Sequence, residues 1–319
     1  MTEQIVRDAI IYVAQYDLSG SVNALALNMK AEAPEKTAMG ATAKTRLPGL
    51  NDHAAEINGW WSAEAITGNP DHYLFDQMGL AFPAMSLSPT GLAGAPVFLL
   101  RPELTEYSPG AKMGDVLPFK LHAEGAGILV RGLMMLPKAA RTLTGAGSAY
   151  NLGEVSSTQN LYGILHVFSK TGTPTLDVVI AIANRIATVE IHTAGSGYSE
   201  DDILTVVQSE ASGGTLTVDS VGGSGEVTGV SLLTPGSGYA VASGLSTTVA
   251  PTGGSGCKIT ILTITDTAVI TFAQKTDAGY EWKTETGPYT DVWWKAKYTI
   301  GGGSPNITFA VTAGIAAEK

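Results

Sequence analysis

Apolar side chains recur at every second position over most of this chain, and that period commits it to β-strands with one buried and one exposed face. From Phe119 the alternation sets Phe119, Leu121 and Ala123 against Lys120, His122 and Glu124. From Val292 it sets Val292, Trp294, Ala296, Tyr298 and Ile300 against Trp293, Lys295, Lys297 and Thr299. It resumes as Ile307, Phe309, Val311 and Ala313 after Gly301, Gly302, Gly303 and the Ser304-Pro305-Asn306 segment. Those interrupting residues supply turn conformations, so the two rows are expected to form a C-terminal hairpin. Thr, Val, Ile and aromatics fill the rows, as half-buried strands require. The fold class is therefore mainly β.

One segment breaks the pattern. Asn69-Pro70-Asp71-His72-Tyr73-Leu74-Phe75-Asp76-Gln77-Met78-Gly79 offers Asn as N-cap, Pro at the first helical position, an acid in the first turn and a C-terminal Gly. Its spacing predicts one short helix that presents Tyr73, Leu74, Phe75 and Met78 to the sheets. A second departure is the polar stretch from Ala33 to Pro48, APEKTAMGATAKTRLP, between an alternating strand (Val22 to Met29) and another ending in Trp60-Trp61. It exceeds a usual hairpin loop about threefold, which marks it as functional or disordered. Glu35, Lys36, Lys44 and Arg46 within it suit contact with something outside the subunit.

The chain also contains a duplication. Thr188-Val-Glu-Ile-His-Thr-Ala-Gly-Ser-Gly-Tyr198 aligns with Gly229-Val-Ser-Leu-Leu-Thr-Pro-Gly-Ser-Gly-Tyr239 at an offset of 41 residues. Two copies are too few for a solenoid, so each reads as a strand, a tight turn, a Tyr that caps a small core, and further short strands. Composition shifts in the same place: residues 187–265 hold 14 Gly, no Trp and no Arg, with one Lys against seven acids. The reading is a small β domain of residues 187–265 inserted into a host formed by residues 1–186 and 266–319.

Charge and composition narrow the function. Of 319 residues 44% are hydrophobic, enough for a substantial core. The chain carries 19 basic and 29 acidic residues, a net of −10, which argues against binding nucleic acid by neutralising phosphates. The single cysteine, Cys257, excludes an intramolecular disulfide and a cysteine zinc site. The opening MTEQIVRDAIIYVAQYD has no apolar run behind a basic head, and a soluble intracellular product is expected.

No catalytic, cofactor or metal signature stands out. A G-x-x-x-x-G-K-[ST] loop is absent, Gly236-Ser237-Gly238 lacks the third Gly of a dinucleotide turn, and no G-x-S-x-G elbow occurs. The five histidines (53, 72, 122, 166 and 192) form no H-x-x-x-H pair. Glu200-Asp201-Asp202 lacks calcium-loop spacing and reads as a solvated tip. In Trp60-Trp61 and Trp293-Trp294, strand geometry directs one ring inward and its neighbour outward, the outward ring suiting a subunit interface or a stacked ligand. Enzymatic activity is not expected. A second reading is a carbohydrate-binding or adhesive β protein, with Tyr198 and Tyr239 as module-surface aromatics that contact host glycans.

An ordered set of segments resembles the major tail protein, or tail tube protein, of long non-contractile-tailed bacteriophages and prophages. These are VNALALNMKAEAPEKT, TRLPGLNDHAAEINGWW and NPDHYLFDQMG, then NLYGILHVFSKTGTPTLDVVI, ITFAQKT and GPYTDVWWKAKYTIGGGSPNITFAVTAGI. The resemblance covers nearly all of the host and none of the insertion. It implies a two-sheet barrel-like sandwich with one short flanking helix, and six subunits in a ring. Rings would stack into a tube that passes double-stranded DNA without specific binding. It implies a virion location, with tape measure, tail terminator and distal tail proteins as partners. The Ala33 to Pro48 loop, with Glu35, Lys36, Lys44 and Arg46, and the chain termini would join ring to ring; the inserted module departs from the family's pattern, and it is expected to project outward as a decoration.

Overall fold

The computed structural model describes residues 9–37, 43–44, 46–47, 51–61, 70–79, 83–110, 112, 115–250 and 253–317. Chain order begins with β1 (Ile10–Val13), β2 (Tyr16–Asp17), β3 (Val22–Ala31), β4 (Asn51–Trp60) and α1 (Pro70–Asp76). β5 (Met85–Ser88), β6 (Pro96–Leu100), β7 (Pro102–Pro109), β8 (Pro118–Gly125) and β9 (Val130–Arg141) follow. Next are β10 (Gly145–Ala146), β11 (Tyr150–Asn151) and the 35-residue β12 (Gln159–Thr193). The Gly-rich region adds β13 (Ile203–Val206), β14 (Ser212–Val221), β15 (Val227–Ser237) and β16 (Ala242–Ala250). β17 (Lys258–Thr271), β18 (Gly279–Thr286) and β19 (Trp293–Ala317) complete the described chain.

These strands form two antiparallel sheets. The smaller has the order β3-β4-β8-β7. The larger runs β15-β14-β13-β16-β17-β12-β19-β9-β6-β5-β1-β2, with β10 and β11 also on β19 and β18 on β12. The alternation read from the sequence sets the faces. In β8, Phe119, Leu121 and Ala123 are buried, whereas Lys120 and Glu124 are exposed and His122 lies between.

Of five apolar clusters among the described residues, the three largest hold most of the fold. Between the sheets, Ile11, Val13, Met85, Leu87 and Leu100 of the large sheet meet Ala55, Ile57, Leu104, Leu121 and Ala123 of the small one, with Leu74 of α1. A second cluster lies where β12 curves back on itself, so that Leu161 and Leu165 of one half pack with Val178, Ile180, Phe309 and Trp294. Gly163 permits that curvature, because a Cβ there would stand 2.6 Å from Ile180 Cδ1. A third cluster gathers Ile186, Tyr198, Leu204, Leu216, Val218, Tyr239, Ile259 and Ile261 in the Gly-rich region. Truncating a fully buried leucine in any of them costs ~2–5 kcal/mol.

The expected C-terminal hairpin is replaced by one continuous strand. β19 pairs with β12 from Gln159↔Ala317 to Ile182↔Trp294, and the glycines are carried within that ladder as Pro174↔Gly302 and Thr175↔Gly301. Gly302 (φ 98°) pairs with Pro174, and Ser304 (φ 47°) and Gly172 (φ 80°) face each other in the irregular step between Thr171 and Thr173, so the positive-φ residues bend two paired strands together instead of reversing one. The helix appears as α1, with a turn continuing to Gly79; its proposed cap, Asn69, lies outside the described residues. Leu74 is buried and Met78 packs on the core, but Phe75 is 71% exposed, because it sits roughly 100° around the helix from its neighbour.

The composition change at residue 187 falls inside a strand. β12 runs on to Thr193 and pairs with β17 from Val179↔Thr271 to Thr193↔Lys258, so two strands pass between the second and third clusters. A bulge interrupts that ribbon between Ile182 and Arg185, where Asn184 has φ 54°. Asp266 pins the bulge: it accepts from the Asn184 backbone at 2.9 Å and pairs with Lys295 at 2.8 Å and Lys297 at 3.0 Å.

Candidate functional site

The described residues of the polar segment between β3 and β4 (32–37, 43–44 and 46–47) form an arm that prolongs their hairpin. Glu35 and Arg46 form an antiparallel bridge, and Leu47 N–H donates to Pro34 O at 3.0 Å. The Glu35 carboxylate accepts from Thr37 Oγ1 at 2.8 Å and from Lys44 Nζ at 3.0 Å, two bonds that hold its pKa below the ordinary value. Glu35, Lys36, Lys44 and Arg46 are all exposed. The structure thus brings Glu35, Lys44 and Arg46 together and leaves Lys36 on the same arm; Ala38 to Thr42, Thr45 and Pro48 lie outside the described residues.

The small sheet continues from this arm, and its two edges differ. β3 offers ten residues whose outer edge has no strand partner among the described residues. Lys30 is its only charged residue. β7, at the other edge, starts and ends in proline, bulges between Leu104 and Glu106, and is leaned on by α1. There Gly79 N–H donates to Leu104 O and the Tyr107 hydroxyl to Asp71. Proline, a bulge and charge are the usual means of closing an edge to further pairing, and β3 uses little of them.

The outward face of the same sheet is acidic. Registers place Lys30 beside Asp52, Glu56 beside His122 and Glu106, and Glu124 beside Glu103, while Lys120 reaches Glu106 at 3.4 Å. Two lysines therefore share this face with five carboxylates. On the opposite side, a cleft of about 440 Å³ opens between β3 and the large sheet, lined by Ile11, Val22, Leu25, Leu27, Leu87 and Phe98.

The tyrosines of the repeat are not surface groups. Tyr198 and Tyr239 are 4% and 0% exposed. The Tyr198 hydroxyl accepts from Cys257 N–H at 3.1 Å; that of Tyr239 accepts from Gly214 N–H and donates to Val206 O, each at 3.0 Å. The repeated Gly-Ser-Gly turns put glycine at φ 64° and 77° in one copy and 56° and 80° in the other, which swings each ring inward. A phenol with a backbone partner is more stable inside a small core than in water, and this overturns their expected surface role. Asp202 is likewise committed, its carboxylate accepting from Ser199 N–H at 2.8 Å. No group of three potential metal ligands occurs among the described residues.

Each tryptophan pair splits as strand geometry requires. Trp294 is fully buried and donates to Gly153 O at 2.9 Å; Trp61 packs on the core between the sheets while Trp60 is 47% exposed. Trp293 turns to the Gly-rich region, stacked over Gly238 with its indole N–H 2.5 Å from Glu210 O.

Sequence reasoning passed over a buried polar cluster. His166 Nε2 lies 2.9 Å from Ser86 Oγ, which is 3.0 Å from Thr312 Oγ1, and His166 Nδ1 is 2.5 Å from Ala14 O. A carbonyl can only accept, so Nδ1 carries the proton and Nε2 accepts from Ser86. Burial pushes the imidazole pKa down to about 4, which keeps the ring neutral. Ser86, His166 and Thr312 are all 0% exposed, so the serine contacts no substrate in this packing. The only sequence signal was a polar residue on the buried row of β12.

No protein-family model matches the chain, and no curated protein matches it. Among solved structures, a chain from the virion of a native gene transfer agent particle is 17% identical, covering 40% of this chain and 97% of its own, with a TM-score of 0.31. The Dit protein of phage SPP1, described as a paradigm of the hub adsorption apparatus of phages that infect Gram-positive bacteria, is 10% identical. It covers 97% of this chain and 100% of its own with a TM-score of 0.32. At these scores neither likeness carries an inference about fold or function.

Proposed function

We propose that this chain is a structural subunit of a phage tail tube that assembles into stacked rings, six subunits to each, and forms a conduit for double-stranded DNA. The small sheet is the observation that carries the reading. Its β3 edge is long, nearly uncharged and open, and strand addition by a neighbour is the ordinary way to satisfy such an edge. Addition to a different edge of the next copy is heterologous, and it gives a closed ring when the rotation closes. The acidic outward face suits a lumen, since a basic wall would hold phosphates and slow transit. Stacking falls to the arm that carries Glu35, Lys36, Lys44 and Arg46. In this reading residues 1–186 and 266–319 build the tube, residues 187–265 decorate its exterior, and the virion tail supplies the remaining partners.

Electron microscopy of the purified chain at high concentration tests the proposal. Rings or tubes are the expected result; a species that stays monomeric at every concentration and salt would refute it. The sugar-binding reading has lost its candidate residues, since Tyr198 and Tyr239 are core.

A further inference from the structure

A bulge re-aims the side chain it carries, and the bulge of β12 aims Asn184 at a lysine. β12 lies between β17 and β19, and one residue of each strand meets there. Lys295 of β19 donates from Nζ to Asn184 Oδ1 at 2.9 Å, although the two stand 111 positions apart in the chain. Asp266 of β17 touches both. Its Oδ1 is 2.8 Å from Lys295 Nζ and accepts from the Asn184 N–H at 2.9 Å. The Asn184 carbonyl is held as well, accepting from Tyr239 N–H at 2.9 Å, so the backbone that carries the carboxamide is fixed beside the amine.

An ammonium group is no nucleophile, and proximity alone would make only a hydrogen bond. The charge count goes further. Lys295 and Lys297 share one carboxylate, at 2.8 and 3.0 Å, which leaves one positive charge uncompensated where the Lys295 and Asp266 side chains are 15% and 12% exposed. Arg185 beside them pairs with Asp291 at 3.9 Å and leaves that count unchanged. Release of the Lys295 proton to solvent removes the excess charge, and desolvation next to a second cation is a common way of making a lysine nucleophilic. Burial would raise the Asp266 carboxyl, but the Asn184 N–H and the two lysines outweigh it and hold its pKa below the ordinary value. A carboxylate therefore stands ionised against the reacting nitrogen, and the nitrogen stands against the amide it would attack.

We propose that Lys295 and Asn184 join in an intramolecular isopeptide bond, with Asp266 as the catalytic base. The lone pair of Nζ attacks Cγ of Asn184, and Nζ passes a proton to Asp266. The tetrahedral intermediate returns its electrons to the carbonyl, the bond to Nδ2 breaks, and Asp266 gives the proton to the departing nitrogen. One amide replaces another and one ammonia leaves, so the step requires no oxidant, cofactor or second protein. The bond ties β19 to the root of the ribbon that carries the Gly-rich region, and it closes a long loop that the unfolded chain would otherwise leave open. It is independent of the ring reading.

Mass spectrometry of the purified full chain under denaturing conditions reads the outcome, after incubation at neutral and at alkaline pH. Wild type is expected to be one ammonia lighter than its sequence, and a tryptic digest to yield one branched peptide that contains both Asn184 and Lys295. Lys295→Arg, Asp266→Asn and Asn184→Gly, the last suited to the φ of 54°, are each expected to show the full sequence mass with the circular dichroism spectrum of wild type. Wild type at full sequence mass, with Asn184 and Lys295 on separate peptides, overturns the proposal whatever the variants do. A loss of ammonia that leaves the two residues unlinked marks a succinimide at Asn184 and overturns it equally. A branched peptide formed by Asp266→Asn at the wild-type rate overturns the role given to that carboxylate.

Discussion

Acid should destabilise this fold through His166 before most carboxylates titrate. The ring is sealed among Tyr12, Phe168, Ser86 and Thr312, and its folded pKa lies near 4 against an ordinary 6.5. Hydrogen bonding is not what opposes protonation, because Ser86 can reverse, accepting from Nε2–H and donating to Thr312. The cost is a buried cation, offset only in part by the Ala14 carbonyl and by Asp17. Between pH 6.5 and 4 the unfolded chain holds a proton that the folded chain lacks, so stability falls as pH drops through that window. A shift of two to three units corresponds to about 3 kcal/mol. The assay is urea unfolding of wild type and His166→Gln from pH 7.5 to 4, at two protein concentrations to separate assembly from folding. Carboxylates such as Asp266 and Glu281 contribute equally to both curves and cancel in the difference. Wild type should lose about 3 kcal/mol relative to the variant; parallel curves would show that folded His166 accepts its proton freely and would refute the reasoning.

Three further outcomes follow from packing. Gly163→Val should cost ~1–3 kcal/mol in thermal unfolding, since its Cβ meets Ile180 at 2.6 Å; an unchanged melting temperature would mean that β12 can shift away. Tyr239→Phe strands Gly214 N–H and Val206 C=O inside the third cluster and should lose ~1–3 kcal/mol, read by urea denaturation, whereas neutrality would show that the two hydroxyl bonds add nothing to stability. Trp293→Ala should speed amide hydrogen exchange in β14 and β15 more than in β8, because it removes the ring packed over Gly238; equal effects would show that the indole carries no such contact.

Strands were legible wherever one face meets a core and the other meets water, as in β8, because that asymmetry is written at period two. The Gly301–Gly303 segment was misread because its partner, Thr171 to Thr175, lies far away in sequence, and a glycine cluster bends a paired strand as readily as it reverses a free one. Tyr198 and Tyr239 look like surface groups until Cys257, Gly214 and Val206 supply backbone partners for their hydroxyls. The arm residues were recognisable from loop length and polarity, but the cleft and Phe75 were not. A cleft is a property of two strands meeting in space, and a helix as short as α1 gives too few turns for periodicity to separate Leu74 from Phe75.

The ribbon of β12 and β17 has a mechanical consequence. Both strands run from the second cluster into the third, so a pull on the Gly-rich region along the ribbon loads many backbone hydrogen bonds in parallel, in shear. A tethered domain would yield first at its linker; here force passes directly into the β12–β19 ladder. The weakest point under a sideways load is the bulge at Asn184, and the carboxylate of Asp266, held by two lysines, sits there as a brace.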